Sequence, residues 1–216
     1  MVYKSVYYEE WRFMRFEALC KMLSEKKYYV FSLDDACVFF PEEARGALKQ
    51  YLSRWKKSGR IASLRKGLYE LVYPENRVLS DMHLANKIYA PSYVSLETAL
   101  SHYSLIPEVS MAVLSITSKP TRQFKNHHGL FVYRSVQPKA FCGYRIENHN
   151  GADVLIADPE KALVDFLYFK TSRSTKFDLN TLRIDLRKVA RLNRKKLDCY
   201  GRIYNMDVKG VLRACL

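Results

Sequence analysis

The chain is short of glycine, of acidic residues and of long apolar runs. Eight glycines in 216 residues leave little room for a Gly-rich phosphate loop, and no such motif is present. The five cysteines, Cys20, Cys37, Cys142, Cys199 and Cys215, are scattered, odd in number and never spaced Cys-x-x-Cys. That argues against a disulfide framework and against a zinc site, and fits small buried residues in a reducing compartment. No apolar run approaches the length of a membrane span. The opening MVYKSVYYEEWRF lacks the apolar core of a secretion signal. The expected location is therefore the cytoplasm. No Ser-His-Asp or Cys-His constellation can be assembled, so neither catalytic residues nor a cofactor are expected.

What is abundant is positive charge. Lysine and arginine number 36 against 22 acidic residues, a net charge of +14. The excess is uneven. Residues 1–72 carry +5, residues 73–169 are neutral and residues 170–216 carry +9. Two basic ends around a neutral middle suggest a polyanion touched at two places. A membrane surface is the weaker candidate, because no basic stretch is paired with a strongly apolar helical face.

The first basic end centres on residues 41–72. From Arg45 to Lys66 there are eight basic residues and no acidic one. Ala44, Ala47, Leu48, Tyr51, Leu52 and Trp55 recur at spacings of three and four, which predicts one apolar helix face. Arg45, Lys49, Gln50, Ser53, Lys56 and Lys57 fall opposite. Gly59 stops the helix. Two short strands, 61–64 and 68–72, follow around the basic turn Arg65-Lys66-Gly67. A helix over 8–25, a strand at 28–31 and a second helix over 33–40 precede it. Ser32 and Asp35 have the form of a capping box, and Pro41 offers a start for the third helix. This order predicts a winged helix-turn-helix over residues 1–75, with the basic helix in the DNA major groove and the hairpin on the backbone. Arg45, Lys49, Gln50 and Ser53 are the candidates to read bases. Arg54, Lys56, Lys57, Arg65 and Lys66 are the candidates for phosphate contacts. The simpler reading is a solvated helix that happens to be basic.

Pro74-Glu75-Asn76-Arg77 marks the break to a second domain, residues 76–216. A helix over 78–89 and another opening at Ser95 lead into strands at 112–117, 122–125, 130–136, 144–147 and 153–156. Asp158 as N-cap with Pro159 and Glu160 behind it starts a further helix. The tail from Ser172 reads as all helical. Leu182, Leu186, Val189 and Leu192 form its first stripe, with Asp178 a candidate cap. The fold class expected is α+β: a winged helix, then a mixed α/β domain with a small sheet and a basic helical tail. Arg187, Lys188, Arg191, Arg194, Lys195 and Lys196 in that tail are either a second DNA surface or a solvated face. Asp158, Glu160 and Asp165 invite a nuclease reading. However, Glu160 and Lys161 are adjacent where a nuclease core wants one residue between them. His127-His128 is read as a turn, since adjacent histidines on a strand point apart and no third ligand is near. No metal site is expected.

Three stretches resemble the AbiEi family of antitoxins from type IV toxin–antitoxin (abortive infection) systems. They are Lys57-Ser58-Gly59-Arg60-Ile61 running into Arg65-Lys66-Gly67-Leu68-Tyr69-Glu70-Leu71; Tyr93-Val94-Ser95-Leu96-Glu97-Thr98-Ala99-Leu100-Ser101-His102-Tyr103 with Leu105-Ile106-Pro107-Glu108; and Ile156-Ala157-Asp158-Pro159-Glu160-Lys161-Ala162-Leu163-Val164-Asp165. Gly129-Leu130-Phe131-Val132-Tyr133-Arg134 adds to them, in the same order along the chain. The chain departs from the family at Ser104, where glycine is expected, and in its aromatic N-terminal helix. The resemblance implies a transcriptional autorepressor that binds inverted repeats of double-stranded DNA upstream of its own operon. It also implies a functional partner, a nucleotidyltransferase-like toxin opposed through the C-terminal domain without a stable complex. The protein is expected to be no enzyme and to have no membrane partner. A monomer or weak dimer is expected, with cooperativity on DNA left open. Two other readings compete: an orphan winged-helix transcription factor whose second domain dimerises or senses an effector, and a metal nuclease targeted by the winged helix.

Overall fold

The computed structural model describes residues 16–26, 28–72, 79–108, 110–149, 151–171 and 183–213. The chain divides into two compact units, Met1–Val78 and Leu79–Leu216. The Pro74–Arg77 break, the helix residues Tyr8, Trp11 and Met14, and Asp178 and Leu182 of the tail lie outside the described residues. The protein is mixed α+β. Among the described residues no helix is long and apolar enough to cross a membrane.

The first unit runs α1 (16–25), β1 (Val30–Ser32), α2 (Leu33–Phe39), α3 (Arg45–Lys57), β2 (Ile61–Arg65) and β3 (Leu68–Leu71). Its strands form one antiparallel sheet in the order β1-β3-β2. Leu19 and Leu23 of α1, Phe31 of β1, Leu52 of α3, Ile61 of β2 and Leu71 of β3 make a common core. The capping box of α2 is formed: Asp35 N–H donates to Ser32 Oγ at 3.1 Å and Ser32 N–H donates to Asp35 Oδ2 at 2.7 Å. The third helix does not begin at Pro41. Residues 41–43 are turn and bend, and Ala44 is an exposed N-cap in extended conformation, outside the apolar stripe. The helix ends in a Schellman motif. Gly59 takes φ +71, Arg60 N–H donates to the Trp55 carbonyl at 2.9 Å, and Gly59 N–H donates to the Lys56 carbonyl at 3.2 Å.

The second unit contains α4 (Asp81–Ile88), β4 (Ser92–Val94), α5 (Leu96–His102), β5 (Ala112–Thr117), β6 (Arg122–Asn126), β7 (Gly129–Ser135), β8 (Tyr144–His149), β9 (Ala152–Ala157), α6 (Pro159–Thr171), α7 (Leu186–Val189), α8 (Arg194–Ile203) and α9 (Val208–Arg213). One six-stranded mixed sheet runs β6-β7-β5-β4-β9-β8. Its β4 is a strand of three residues, too short to show a period along the chain. It is antiparallel to β5 and parallel to β9, so it joins the two halves of the sheet. Helix α4 lies against β4 and β9, and α6 packs against α5 and α8. The described part of the tail is helical, as expected, in three short helices, but its first apolar stripe ends early. Asp185 and Asn193 each accept two backbone N–H groups and start separate helices, leaving Leu192 in the turn between them. A side-chain cap competes with helix continuation, and here it wins over periodicity.

Candidate nucleic-acid interface and polar network

The first candidate site lies on α3 and the β2–β3 turn. Ala47, Leu48, Tyr51, Leu52 and Trp55 face inward, while Arg45, Lys49, Gln50, Ser53, Arg54, Lys56 and Lys57 are all exposed. Phe16 of α1 meets the Trp55 ring edge-on at 5.2 Å, and Tyr51 stacks on Trp55 at 6.0 Å. These rings fix the rotation of α3 and so decide which residues face solvent. Arg54 lies 5.7 Å from the Tyr51 ring centroid. Arg45 is engaged: its Nη1 is 2.7 Å from Asp34 Oδ1 of α2, with both side chains well exposed. An exposed pair of this kind is weak and salt-sensitive, so it orients Arg45 without sequestering it. At the hairpin tip Lys66 is exposed and Gly67 takes φ +78, as the tight turn requires. Arg65 is half-buried and donates to the Lys66 carbonyl at 3.0 Å.

The second unit holds a polar network that sequence reasoning did not assemble. Residues Glu160 to Leu167 of α6 are all buried, and three of them carry charge. Charges so placed need partners. Asp165 accepts from four groups: Lys161 Nζ and Tyr204 OH (2.6 Å) on Oδ1, Tyr93 OH (3.1 Å) and Ser95 Oγ (2.8 Å) on Oδ2. Lys161 also donates to Tyr204 OH at 3.0 Å and sits 4.8 Å from that ring's centroid. Burial and the neighbouring Asp165 charge push the Tyr204 and Tyr93 hydroxyls far above their usual range, so both stay protonated donors. Glu160 accepts the Asn193 N–H at 2.9 Å, tying the start of α6 to the start of α8.

Two expected caps turn out to have other duties. Ser95 occupies the N-cap position of α5 but makes no side-chain cap bond, because its hydroxyl goes to Asp165. Asp158 precedes α6, and its carbonyl accepts the Ala162 N–H at 2.8 Å. Its carboxylate takes Lys196 Nζ at 2.7 Å and Tyr200 OH at 3.1 Å instead. Arg145 links this end of the network to Glu147. Its Nη1 lies 3.8 Å from Asp158 Oδ1, and its Nε and Nη2 lie 2.9 and 2.7 Å from Glu147 Oε1. Glu147 also receives Tyr103 OH at 3.0 Å and faces His102 and His149. Burial would raise the Glu147 carboxyl, but the bonds from Arg145, Tyr103 and His102 outweigh it and hold its pKa down to about 2. Asp158, Glu160 and Asp165 thus each face different partners and do not converge on one point.

The tail cluster is brought to one region. Arg187 and Lys188 are on α7, Arg191 follows it, and Arg194, Lys195 and Lys196 form the first turn of α8, all exposed. Lys188 donates to the Ser104 carbonyl at 2.9 Å, and Lys196 is bound to Asp158. The first turn of α8 has no acidic residue, so three cations stand at the positive end of a helix dipole, where they are disfavoured. His127 and His128 form the turn between β6 and β7. Ser104 has φ +54, a left-handed conformation that favours glycine.

No protein-family model matches this chain, and no curated protein matches it.

Proposed function

We propose that the chain is an AbiEi-like antitoxin: a cytoplasmic DNA-binding autorepressor that opposes a nucleotidyltransferase-like toxin without a stable complex. The observation that carries this reading is α3. One face is locked into the core by Leu48, Leu52 and Trp55, while Lys49, Gln50, Ser53, Arg54, Lys56 and Lys57 are held out to solvent, and Lys66 is exposed at the tip of the hairpin that follows. The order α1-β1-α2-α3-β2-β3 with sheet order β1-β3-β2 supports a winged helix-turn-helix, in which α3 enters the major groove. Ser104 supports the family reading, because the position where the family resemblance calls for glycine has the backbone conformation that glycine suits. The disfavoured cations of α8 support a second polyanion contact. The free thiols of Cys20, Cys37, Cys142 and Cys199 suit a reducing compartment.

In this reading Gln50 chooses sequence and Lys66 supplies affinity. Gln50→Ala should lose preference for the operator over random DNA. Lys66→Ala should weaken both alike and reduce the salt slope by about one unit. Equal loss on both duplexes for Gln50→Ala would remove its base-reading role. For the antitoxin half, co-expression with a nucleotidyltransferase-like product of the neighbouring gene should restore growth. Failure there with operator binding intact would leave a winged-helix regulator.

A further inference from the structure

Glu147 and His149 are two apart on β8, so they project from the same face of the strand. His102 is the last residue of α5 and comes to them from 45 positions away in sequence. His102 Nε2 lies 3.1 Å and His149 Nε2 3.4 Å from one atom, Glu147 Oε2. The two imidazole centroids are 5.0 Å apart, and the three ligating atoms all lie within 4.8 Å of one another. The other oxygen, Oε1, is occupied by Arg145 and Tyr103 OH. The carboxylate is therefore clamped from behind and turns its second oxygen, Oε2, to the two ring nitrogens.

We propose that His102, Glu147 and His149 form a binding site for a divalent transition metal ion, zinc fitting best, through both Nε2 atoms and Glu147 Oε2. Two imidazoles and one carboxylate are the donor set of a three-ligand zinc site with an open fourth position. Zinc bonds of about 2.0–2.2 Å put the ligands of a tetrahedral ion roughly 3.3–3.6 Å apart. The two nitrogen–oxygen separations already meet that spacing within a few tenths of an ångström. The nitrogens need close by no more than the approach of two side chains at the surface. Coordination uses the Nε2 lone pair of each neutral imidazole, so each ring carries its proton on Nδ1, by a shift of tautomer in a neutral ring or by loss of one proton from an imidazolium. Arg145 and Tyr103 remain as outer partners that aim the carboxylate. The side chains are 20–28% exposed, so the fourth position opens to water. The ion would join the end of α5 to the edge strand β8. It is independent of DNA binding by the first unit.

The test is titration of the full chain, free of any polyhistidine tag, with Co²⁺ in a non-chelating buffer, followed by competition with Zn²⁺. One equivalent should bind, with visible bands of a tetrahedral ion and no thiolate charge-transfer band, and Zn²⁺ should bleach them. His102→Ala, His149→Ala and Glu147→Gln should each weaken binding by more than the roughly 10–100-fold of an outer-partner change, which Tyr103→Phe should show. His127→Ala should change nothing. In the unaltered protein two paramagnetically shifted imidazole resonances should appear, a readout that needs no variant to fold. No binding, a thiolate band, any other number of shifted imidazoles, or folded His149→Ala and Glu147→Gln proteins that bind as well as the parent would each overturn the proposal.

Discussion

Replacing Lys161 by methionine should unfold the second unit far more readily than a surface change. Lys161 and Asp165 are both fully buried, one turn apart on α6. Removing one partner of a buried pair leaves an uncompensated charge and costs roughly 3–5 kcal/mol. Asp165 would keep three donors, Tyr204 OH, Tyr93 OH and Ser95 Oγ, which favours the lower end, about 3 kcal/mol. Lys161 has weaker alternatives: without the carboxylate charge it keeps, among the described residues, Tyr204 OH and the faces of the Tyr204 and Tyr93 rings, all neutral groups. Asp165→Asn should therefore cost more, about 4–5 kcal/mol. The double variant Lys161→Met/Asp165→Asn should cost less than the sum of the singles by up to about 3 kcal/mol. Both tryptophans, Trp11 and Trp55, lie in the first unit. Tryptophan fluorescence in urea thus serves as an internal control, while hydrogen exchange of α6 amides reports the second unit. A Lys161→Met protein whose α6 protection falls by no more than about 0.5 kcal/mol, the range of surface substitutions, would refute the reasoning. So would additive single variants.

Other outcomes follow from the same geometry. A Cβ at Gly143 would stand 2.7 Å from the Tyr200 ring, and the residue has φ +73, so Gly143→Ala is doubly disfavoured. It should displace Tyr200 from Asp158 and lower the melting temperature, with a backbone contribution of about 1–2 kcal/mol alone. Ser104→Gly relieves a left-handed serine and should stabilise by up to about 1 kcal/mol, read in a thermal melt. The Glu147 carboxyl is held below its ordinary value of 4.5, to about 2. Its contribution is present above the unfolded value and is lost as pH falls from about 4.5 through about 2. Glu147→Gln should flatten the acid limb of stability over that window, and an unchanged limb in a pH series of melts would contradict the assignment.

The first unit was largely legible because its signals are local. The three–four spacing of Ala47, Leu48, Tyr51, Leu52 and Trp55, the Gly59 stop and the Ser32/Asp35 box each act within one or two turns of chain. The strands at 112–117 and 122–135 were likewise visible in their alternation and turn residues. What was hidden depends on distant partners. Ser95 and Asp158 look like caps in sequence, and only the arrival of Asp165, Lys196 and Tyr200 redirects their side chains. In sequence Lys161 shows only as the neighbour of Glu160, and its role emerges once residues 160–167 of α6 are seen to be buried. The three residues of β4 are too few to show a period. His102 stands far from Glu147 and His149 in sequence, so nothing short of the sheet's topology brings them together. The helices of the tail are visible in its pattern, but the break after Val189 is not: Asp185 and Asn193 are caps embedded in an apolar stripe that periodicity alone runs through to Leu192.

The central claim is that α3 and the hairpin tip recognise a particular DNA sequence. Fluorescence anisotropy across a salt series, on the duplex upstream of the protein's own gene and on a scrambled control, tests it most directly. A preference of about a thousandfold or more for the upstream duplex is the expected result. Equal, steeply salt-dependent binding to both would contradict it, leaving charge without sequence recognition on α3.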